Sequence, residues 1–350
     1  DAFPFDYTVS IDFPKETTLE KGYLPKQIMV KNLDWDEETK EIKYAQVVSA
    51  MADSLKYFLA GNKNEPFFAM VNFLDPHHPF YNQIEGIPAR PIHPGQISGS
   101  KYTNDPELFP KVAGYYNGIA RLDSGYALIE EILQTKGLYQ NTMIIFIGDH
   151  GAPFDGAKMT CYELGTRIPF IVKYPNDSIK GKVDGDVSTL DILPTILKIW
   201  NEEATELPGL SLEQIVNNEA GHESIFTEFN CHGRDWIMPM RSIKHGNYKL
   251  IINYLAPYYK TLDLDQVENE DLKERLKGFA AKPYTELYNL EEDPNEQENL
   301  SGLTEFEEVK SMLEALLLKQ QEKTGDTLVT GDLNYFKELI QKNIFNTEGS

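Results

Sequence analysis

Long apolar runs are missing from this chain. No stretch of its 350 residues approaches the run of about 18 apolar side chains that a bilayer-crossing helix needs, so no membrane span is predicted. Basic residues are scarce as well: Lys plus Arg is 33 against 55 for Asp plus Glu, a net charge of -22. That sign works against non-specific binding to nucleic acid or to anionic membranes. It does not exclude an anionic substrate, because a few local cations outweigh the mean field at contact distance. Cysteine is nearly absent. Cys161 and Cys231 make one bridge or none, which excludes a disulfide framework and points to no compartment. The opening "DAFPFDYTVS" has no initiator Met, no basic start and no apolar signal core, and reads as the interior of something longer.

What is present argues for a folded chain of roughly two domains. Hydrophobic residues make up 41%, enough for a sizeable core. Residues 1–40 read as an irregular lead-in, and 42–61 carry apolar side chains at helical spacing up to a stop at Gly61. Phe67 to Leu74 is a continuous apolar run between Pro66 and Pro76, which predicts a strand buried on both faces. A long loop, 81–109, is rich in Pro, Gly and Asn. Over 110–136, Val112, Tyr115, Tyr116, Ile119, Leu122, Tyr126, Ile129 and Leu133 follow helical spacing. Two more apolar runs, 142–147 and 169–174, predict strands. Residues 189–200 read as a helix with Pro194 at an early turn or kink.

This alternation predicts an α/β domain over 1–220, a mostly parallel sheet sandwiched by helices. After residue 220 the pattern changes to short strands between polar turns. Residues 221–350 therefore read as a smaller α+β subdomain with a short antiparallel sheet and an amphipathic helix at 305–323.

In open parallel sheets ligands bind beyond the carboxyl ends of the strands. Two polar stretches fall there: "DPHHPF" after the strand at 67–74, and "GDHGAPFDGAK" after the strand at 142–147. Asp149 and His150 offer a carboxylate oxygen and an imidazole nitrogen, both metal donors. Lys158 offers a point charge for an anionic oxygen. His77 sits on a loop stiffened by Pro76. Spacing alone leaves a second account standing, in which Asp149 caps a turn and His150, Lys158 and His77 are solvated. Cys161 and Cys231 read as small core residues or as nucleophiles.

The blocks "EPFFAMVNFLDPHHPF", "AGYYNGIARLDSGYALIEEIL", "IIFIGDHGAPFDGAKMTCYELGTRIPFIV", "STLDILPTIL", "PMRSIKHGNYKLI" and "ELYNLEEDPNEQENL" occur in this order. Together they resemble the type I sulfatases of the alkaline phosphatase superfamily, and within these the heparan N-sulfatase branch. The resemblance implies an alkaline phosphatase-like fold. It also implies hydrolysis of sulfate esters or sulfamates on a sulfated glycan such as an N-sulfoglucosamine, as in glycosaminoglycan degradation. Asp149 and His150 match the ligands of one divalent cation, usually calcium. Lys158 matches the basic residue that grips the sulfate and the bridging oxygen, and His77 the histidine that meets the sulfate and the leaving oxygen. His232 and Arg234 fall where the family's C-terminal part approaches substrate, while Glu163 and Arg167 match structural positions. Loops 81–109 and 255–283 are where substrate specificity is expected. The family's location is periplasmic, secreted or lysosomal.

One departure is large. These sulfatases use a Cys or Ser in Cys/Ser-x-Pro-x-Arg, oxidised to formylglycine, and this chain has no such motif: Cys161 reads "CYELG" and Cys231 "CHGRD". The chain is therefore expected to correspond to the part of a sulfatase that follows the formylglycine, with the nucleophile on a preceding segment. Two alternatives remain open at this point: a phosphoester or phosphonate hydrolase of the same superfamily, and a non-catalytic glycan-binding scaffold.

Overall fold

A computed structural model describes residues 48–61, 66–84, 86–97, 102–202, 206–233, 236–330 and 333–345; the lead-in at 1–40 lies outside them. The chain forms two units, Asp1–Ile144 with Lys173–Ser178, and Ile145–Val172 with Ile179–Ser350.

In the first unit, α1 (Val48–Gly61) and α2 (Phe109–Thr135) realise the two expected helices. Leu55 and Leu59 of α1 pack with Ile129 and Leu133 of α2, and Phe67, Val71 and Phe73 pack against them. Val112, Tyr115, Ile129 and Leu133 of α2 are buried as its apolar spacing predicts, but the buried face is wider and shifted. Ile119 is 40% exposed, while Gly114, Asn117, Gly118, Arg121 and Gly125 are buried. The reason is close approach. A Cβ at Gly114 would stand 2.6 Å from Phe80 Cβ, and one at Gly125 2.7 Å from a Phe73 ring carbon. Glycine lets the backbone of residues 73–80 lie directly on the helix.

Residues 66–74 form neither helix nor strand, and among the described residues they pair with no strand. One face is packed; the other leaves Phe68 48% and Met70 66% exposed. This corrects the expectation of burial on both faces. An apolar run supplies faces to bury, and what lies against them is decided by other parts of a chain.

In the second unit, β1 (Ile144–Ile147), whose first residue belongs to the first unit, and β2 (Phe170–Lys173), whose last does, form a two-stranded sheet. A short helix, α3 (Glu163–Thr166), lies between them in sequence. Ile147 and Ile171 are 40% and 61% exposed, so these strands too are less covered than the apolar runs suggest. A 3-10 turn at Thr189–Asp191 leads into α4 (Ile192–Ile199), with Pro194 in the first turn, where its missing N–H has no helical partner to lose. The short helix α5 (Leu212–Val216) follows.

The expected antiparallel sheet is present, with strands in the order β3 (Ser224–His232), β4 (Trp236–His245), β5 (Tyr248–Asn253) and β6 (Thr285–Asn289). Register gives its two faces different characters. Lys249, Ile251 and Asn253 share a face with Ser242, Glu286 and Tyr288, while Arg241, Ile243, Leu250, Ile252 and Leu287 share the other. The second, mainly apolar face is covered by Leu313 and Leu317 of the amphipathic helix, α8 (Glu307–Thr324), which ends at Gly325 in the left-handed region.

The stretch 255–283 is a loop by expectation and largely helical in fact: α6 (Ala256–Tyr259) and α7 (Glu270–Ala281). The signals for α7 are local. Asn269 caps it by accepting from Leu272 N–H at 2.9 Å, acids fill its first turn, and Leu276 and Phe279 are buried. Among its described residues the 81–109 stretch holds short 3-10 turns and an isolated bridge between Ile84 and Ile87 before α2 begins. A final helix, α9 (Asn334–Ile340), packs Ile340 into the larger core.

Candidate metal and anion site

Asp149 and His150 follow β1 after a single residue, Gly148. The His150 Nδ1–H donates to the Gly151 carbonyl at 2.8 Å, because a carbonyl only accepts. That fixes the lone pair of the neutral ring on Nε2. Nε2 stands 3.4 Å from Asp149 Oδ2, and both side chains reach solvent, 36% and 88% exposed. Two neighbouring donors at a right angle around a calcium-sized ion, each about 2.4 Å away, stand about 3.4 Å apart. The pair therefore fits two adjacent positions of a cation's shell. Asp149 Oδ1 meanwhile accepts from His150 N–H at 2.9 Å, which orients the carboxylate. Among the described residues no group of three or more His, Cys, Asp or Glu is placed to hold a metal.

The loop then folds back. Ala152 O accepts from Phe154 N–H at 2.8 Å and from Lys158 N–H at 3.0 Å, which ties Lys158 to the backbone just past His150. Lys158 is half-buried, and among the described residues its ammonium makes no ion pair in a chain with 55 acidic residues. The loop is pressed onto α3: Gly151 N–H donates to Gly165 O at 2.8 Å, and a Cβ at Gly151 would stand 1.7 Å from Leu164 O. Only glycine permits that approach.

Asp149, His150 and Lys158 thus share one loop of the second unit. His232, also in that unit, is exposed at the end of β3, and among the described residues no hydrogen bond or ion pair joins it to them. Arg234 lies outside the described residues. His77 belongs to the first unit, where its Nδ1–H donates to the His78 carbonyl at 2.8 Å.

Sequence reasoning missed what anchors that histidine's loop. Asp75 and Arg121 form a buried two-pronged pair, Nε to Oδ2 and Nη2 to Oδ1 both at 2.8 Å, each side chain 1% exposed. Arg121 also donates to Tyr81 O at 2.8 Å, so one guanidinium holds both ends of the "DPHHPFY" turn.

It missed equally what stands behind α3. Lys249 Nζ, 2% exposed, lies 2.9 Å from Glu163 Oε1 and 3.4 Å from Glu296 Oε1. Glu296 Oε2 accepts from Glu163 N–H at 2.6 Å. Burial lifts the Glu296 carboxyl above its ordinary range, against the pull of the Lys249 ammonium. Beside it, Tyr162 O–H donates to Glu286, and burial raises that phenol.

Neither cysteine is bridged: Cys161 is buried, Cys231 exposed. Burial pushes the Cys161 thiol up to about 11, which makes it a poor nucleophile. Native protein at pH 8 is expected to take up one equivalent of iodoacetamide, on Cys231, and a second only in denaturant. Peptide mapping that finds Cys161 alkylated in the native chain would contradict its placement.

The fold and this loop define a class: an α/β protein presenting a carboxylate, an imidazole and an ammonium just past the end of a strand. The sulfatase family model matches residues 5–201, more than half of the chain, and that of the N-sulphoglucosamine sulphohydrolase C-terminal region matches 148–275. The chain belongs to the sulfatase family. Human N-sulphoglucosamine sulphohydrolase is 26% identical over 335 residues, covering 82% of this chain and 66% of that protein. An ulvan-active sulfatase of Formosa agariphila is 26% identical over 309 residues, covering 84% of this chain and 60% of that protein. In both comparisons the chain spans less than two thirds of the relative's length. Among solved structures, a 2-O GAG sulfatase superposes with a TM-score of 0.61 at 16% identity, over 86% of this chain and 70% of that one. A phosphonate monoester hydrolase of Agrobacterium radiobacter also reaches 0.61, at 18% identity, over 79% and 60%. These two likenesses concern the fold.

Proposed function

We propose that this chain carries the cation and anion half of a site that hydrolyses sulfate esters or sulfamates on a sulfated sugar, an N-sulfoglucosamine among them. The observation that carries this reading is the loop after β1. It sets Asp149 Oδ2 and His150 Nε2 at 3.4 Å, a spacing suited to one ion, and ties a half-buried Lys158, with no ion pair among the described residues, to the same turn. Similarity to N-sulphoglucosamine sulphohydrolase and to ulvan-active sulfatases supports the choice of substrate class.

Asp149 and His150 would hold a calcium ion, which when bound draws charge from the sulfuryl oxygens. Further oxygen ligands are needed to fill its shell. Lys158 places a fixed positive charge where those oxygens gain charge as the sulfur changes geometry, the electrostatic term that is usually largest. The role of His77, donating a proton to the departing oxygen or nitrogen, is assigned by family resemblance. The nucleophile is not among these 350 residues, since no Cys/Ser-x-Pro-x-Arg occurs in them. It is proposed to be a formylglycine on polypeptide outside them.

The test uses the full gene product, with any upstream residues and after formylglycine maturation. It is incubated with N-sulfated and O-sulfated glucosamine oligosaccharides, with calcium or with chelator, and free sulfate is measured by ion chromatography. Calcium-dependent sulfate release is expected. Turnover of phosphonate or phosphate monoesters in place of sulfates, or binding of the oligosaccharides with no turnover, would sink the proposal.

A further inference from the structure

The loop that carries Asp149, His150 and Lys158 belongs to no helix or strand and is closed on itself by a few backbone bonds, those to Ala152 O and Phe154 O. Its placement in the fold comes from what it rests on. Gly151 bonds to Gly165 and packs on Leu164, so the loop is as fixed as α3 is. Helix α3 is a single turn, Glu163–Thr166, far too short to be stable alone. It is gripped at its first residue from two sides. Glu296 takes the Glu163 backbone N–H, one of the turn's unpaired donors, and Lys249 takes the Glu163 carboxylate. Lys249 also reaches Thr166 Oγ1 at 3.4 Å, so one ammonium touches the first and last residues of the turn.

Lys249 lies on β5 between β4 and β6, 2% exposed, on the sheet face that also carries Glu286 and Asn253. A lysine with its ammonium out of water is costly unless charge and hydrogen bonds compensate it. Here two carboxylates and a hydroxyl do so, and each of them belongs to α3 or binds to it. Sheet stability gives no reason for an ion there, since Leu250 and Ile252 cover the opposite face with ordinary apolar packing.

We infer that Lys249 is a positioning residue: through Glu163 and Thr166 it fixes the turn on which the Asp149–Lys158 loop is seated, and so sets where the cation ligands and the Lys158 ammonium stand. This rests on the sulfatase reading for its kinetic consequence, but not for its structural one. A charge misplaced by about 1 Å costs about 100-fold in rate. The loss falls on kcat and kcat/KM alike, because the interaction strengthens in the transition state.

The experiment compares Lys249→Met, Glu163→Gln and Arg241→Met in the mature full-length enzyme. Arg241 serves as control. It breaks a buried pair with Asp326, Nε to Oδ2 at 2.6 Å, on the opposite face of the same sheet. Lys249→Met is expected to lower kcat by about 100-fold, with KM changed by less than about threefold. Amide exchange across 151–158 should accelerate in step. Glu163→Gln, which leaves the ammonium its Glu296 partner, should fold and lose about tenfold. Arg241→Met should lower the thermal midpoint yet keep kcat within about threefold and leave exchange at 151–158 unchanged. If Lys249→Met does not fold, Glu163→Gln carries the test.

The inference is overturned if Glu163→Gln or a folded Lys249→Met keeps the parent's kcat and loop exchange. It is overturned equally if Arg241→Met reproduces the same losses. Should the parent release no sulfate, the sulfatase reading fails, and amide exchange still decides the positioning role.

Discussion

Replacing Lys158 by alanine in the mature full-length protein is expected to lower kcat by about 100- to 1,000-fold, the usual loss when a group that stabilises developing anionic charge is removed. The size of the effect follows from where the ammonium stands. Among the described residues it makes no ion pair, so none has to be broken before it meets a sulfuryl group. Its backbone N–H is fixed to Ala152 O at 3.0 Å, so the side chain starts from a set point. Since no internal pair is lost, the thermal midpoint should stay close to the parent's. The Lys158→Arg variant, which keeps the charge but spreads it over a planar fork, should retain part of the activity. Steady-state kinetics with a sulfated oligosaccharide decide the matter: if the alanine variant stays within tenfold of the parent in kcat, Lys158 does not touch the reacting group.

Replacing Arg121 by methionine is expected to destabilise the protein by about 3–5 kcal/mol, the usual consequence of leaving a buried carboxylate without its partner. Asp75 and Arg121 are each 1% exposed and joined by two bonds of 2.8 Å, so water cannot replace the guanidinium. The bond lost at the part-buried Tyr81 O adds to the cost. Changing both partners, Asp75→Leu with Arg121→Met, removes the stranded charge and should recover most of the loss. Urea unfolding of the single and double variants measures this. A single variant within about 1 kcal/mol of the parent would mean that the pair is solvated or dispensable. The double variant, stable again, should still be impaired in turnover, because the turn carrying His77 loses the guanidinium that joins its two ends.

Much of this architecture is legible along the chain. The 3.6-residue spacing over 110–136 becomes α2 within a residue at each end, and the polar-punctuated strands after 220 become the antiparallel sheet. Helix α7 was legible too, in its Asn269 cap and acidic first turn, and reading 255–283 as a loop overlooked signals that were present. The buried face of α2 was legible only in part: Val112, Tyr115, Ile129 and Leu133 are buried as expected, but its glycines gave no sign. Apolar spacing names the side that avoids water, but Gly114 and Gly118 are buried because a neighbouring backbone lies on them. Glycine carries no hydrophobic mark by which a pattern could find it. The adjacent Asp149 and His150 after an apolar run drew attention to the site at once. Lys249 did not, since a lysine in "YKLIIN" reads as the solvated residue of an alternating strand.

Short-range pattern carried the local matters: the long helices, the strands after residue 220, the lack of a run long enough for a membrane helix, and the loop that brings a carboxylate, an imidazole and an ammonium close together. These depend on neighbours within a few residues, where periodicity and turn chemistry act. Which charges are buried, and with whom, follows from long-range contacts. Arg121 meets Asp75 from 46 residues away, and Lys249 meets Glu163 from 86. Burying a charge is tolerable only when a partner arrives from elsewhere in the chain, and no pattern of spacing encodes that arrival.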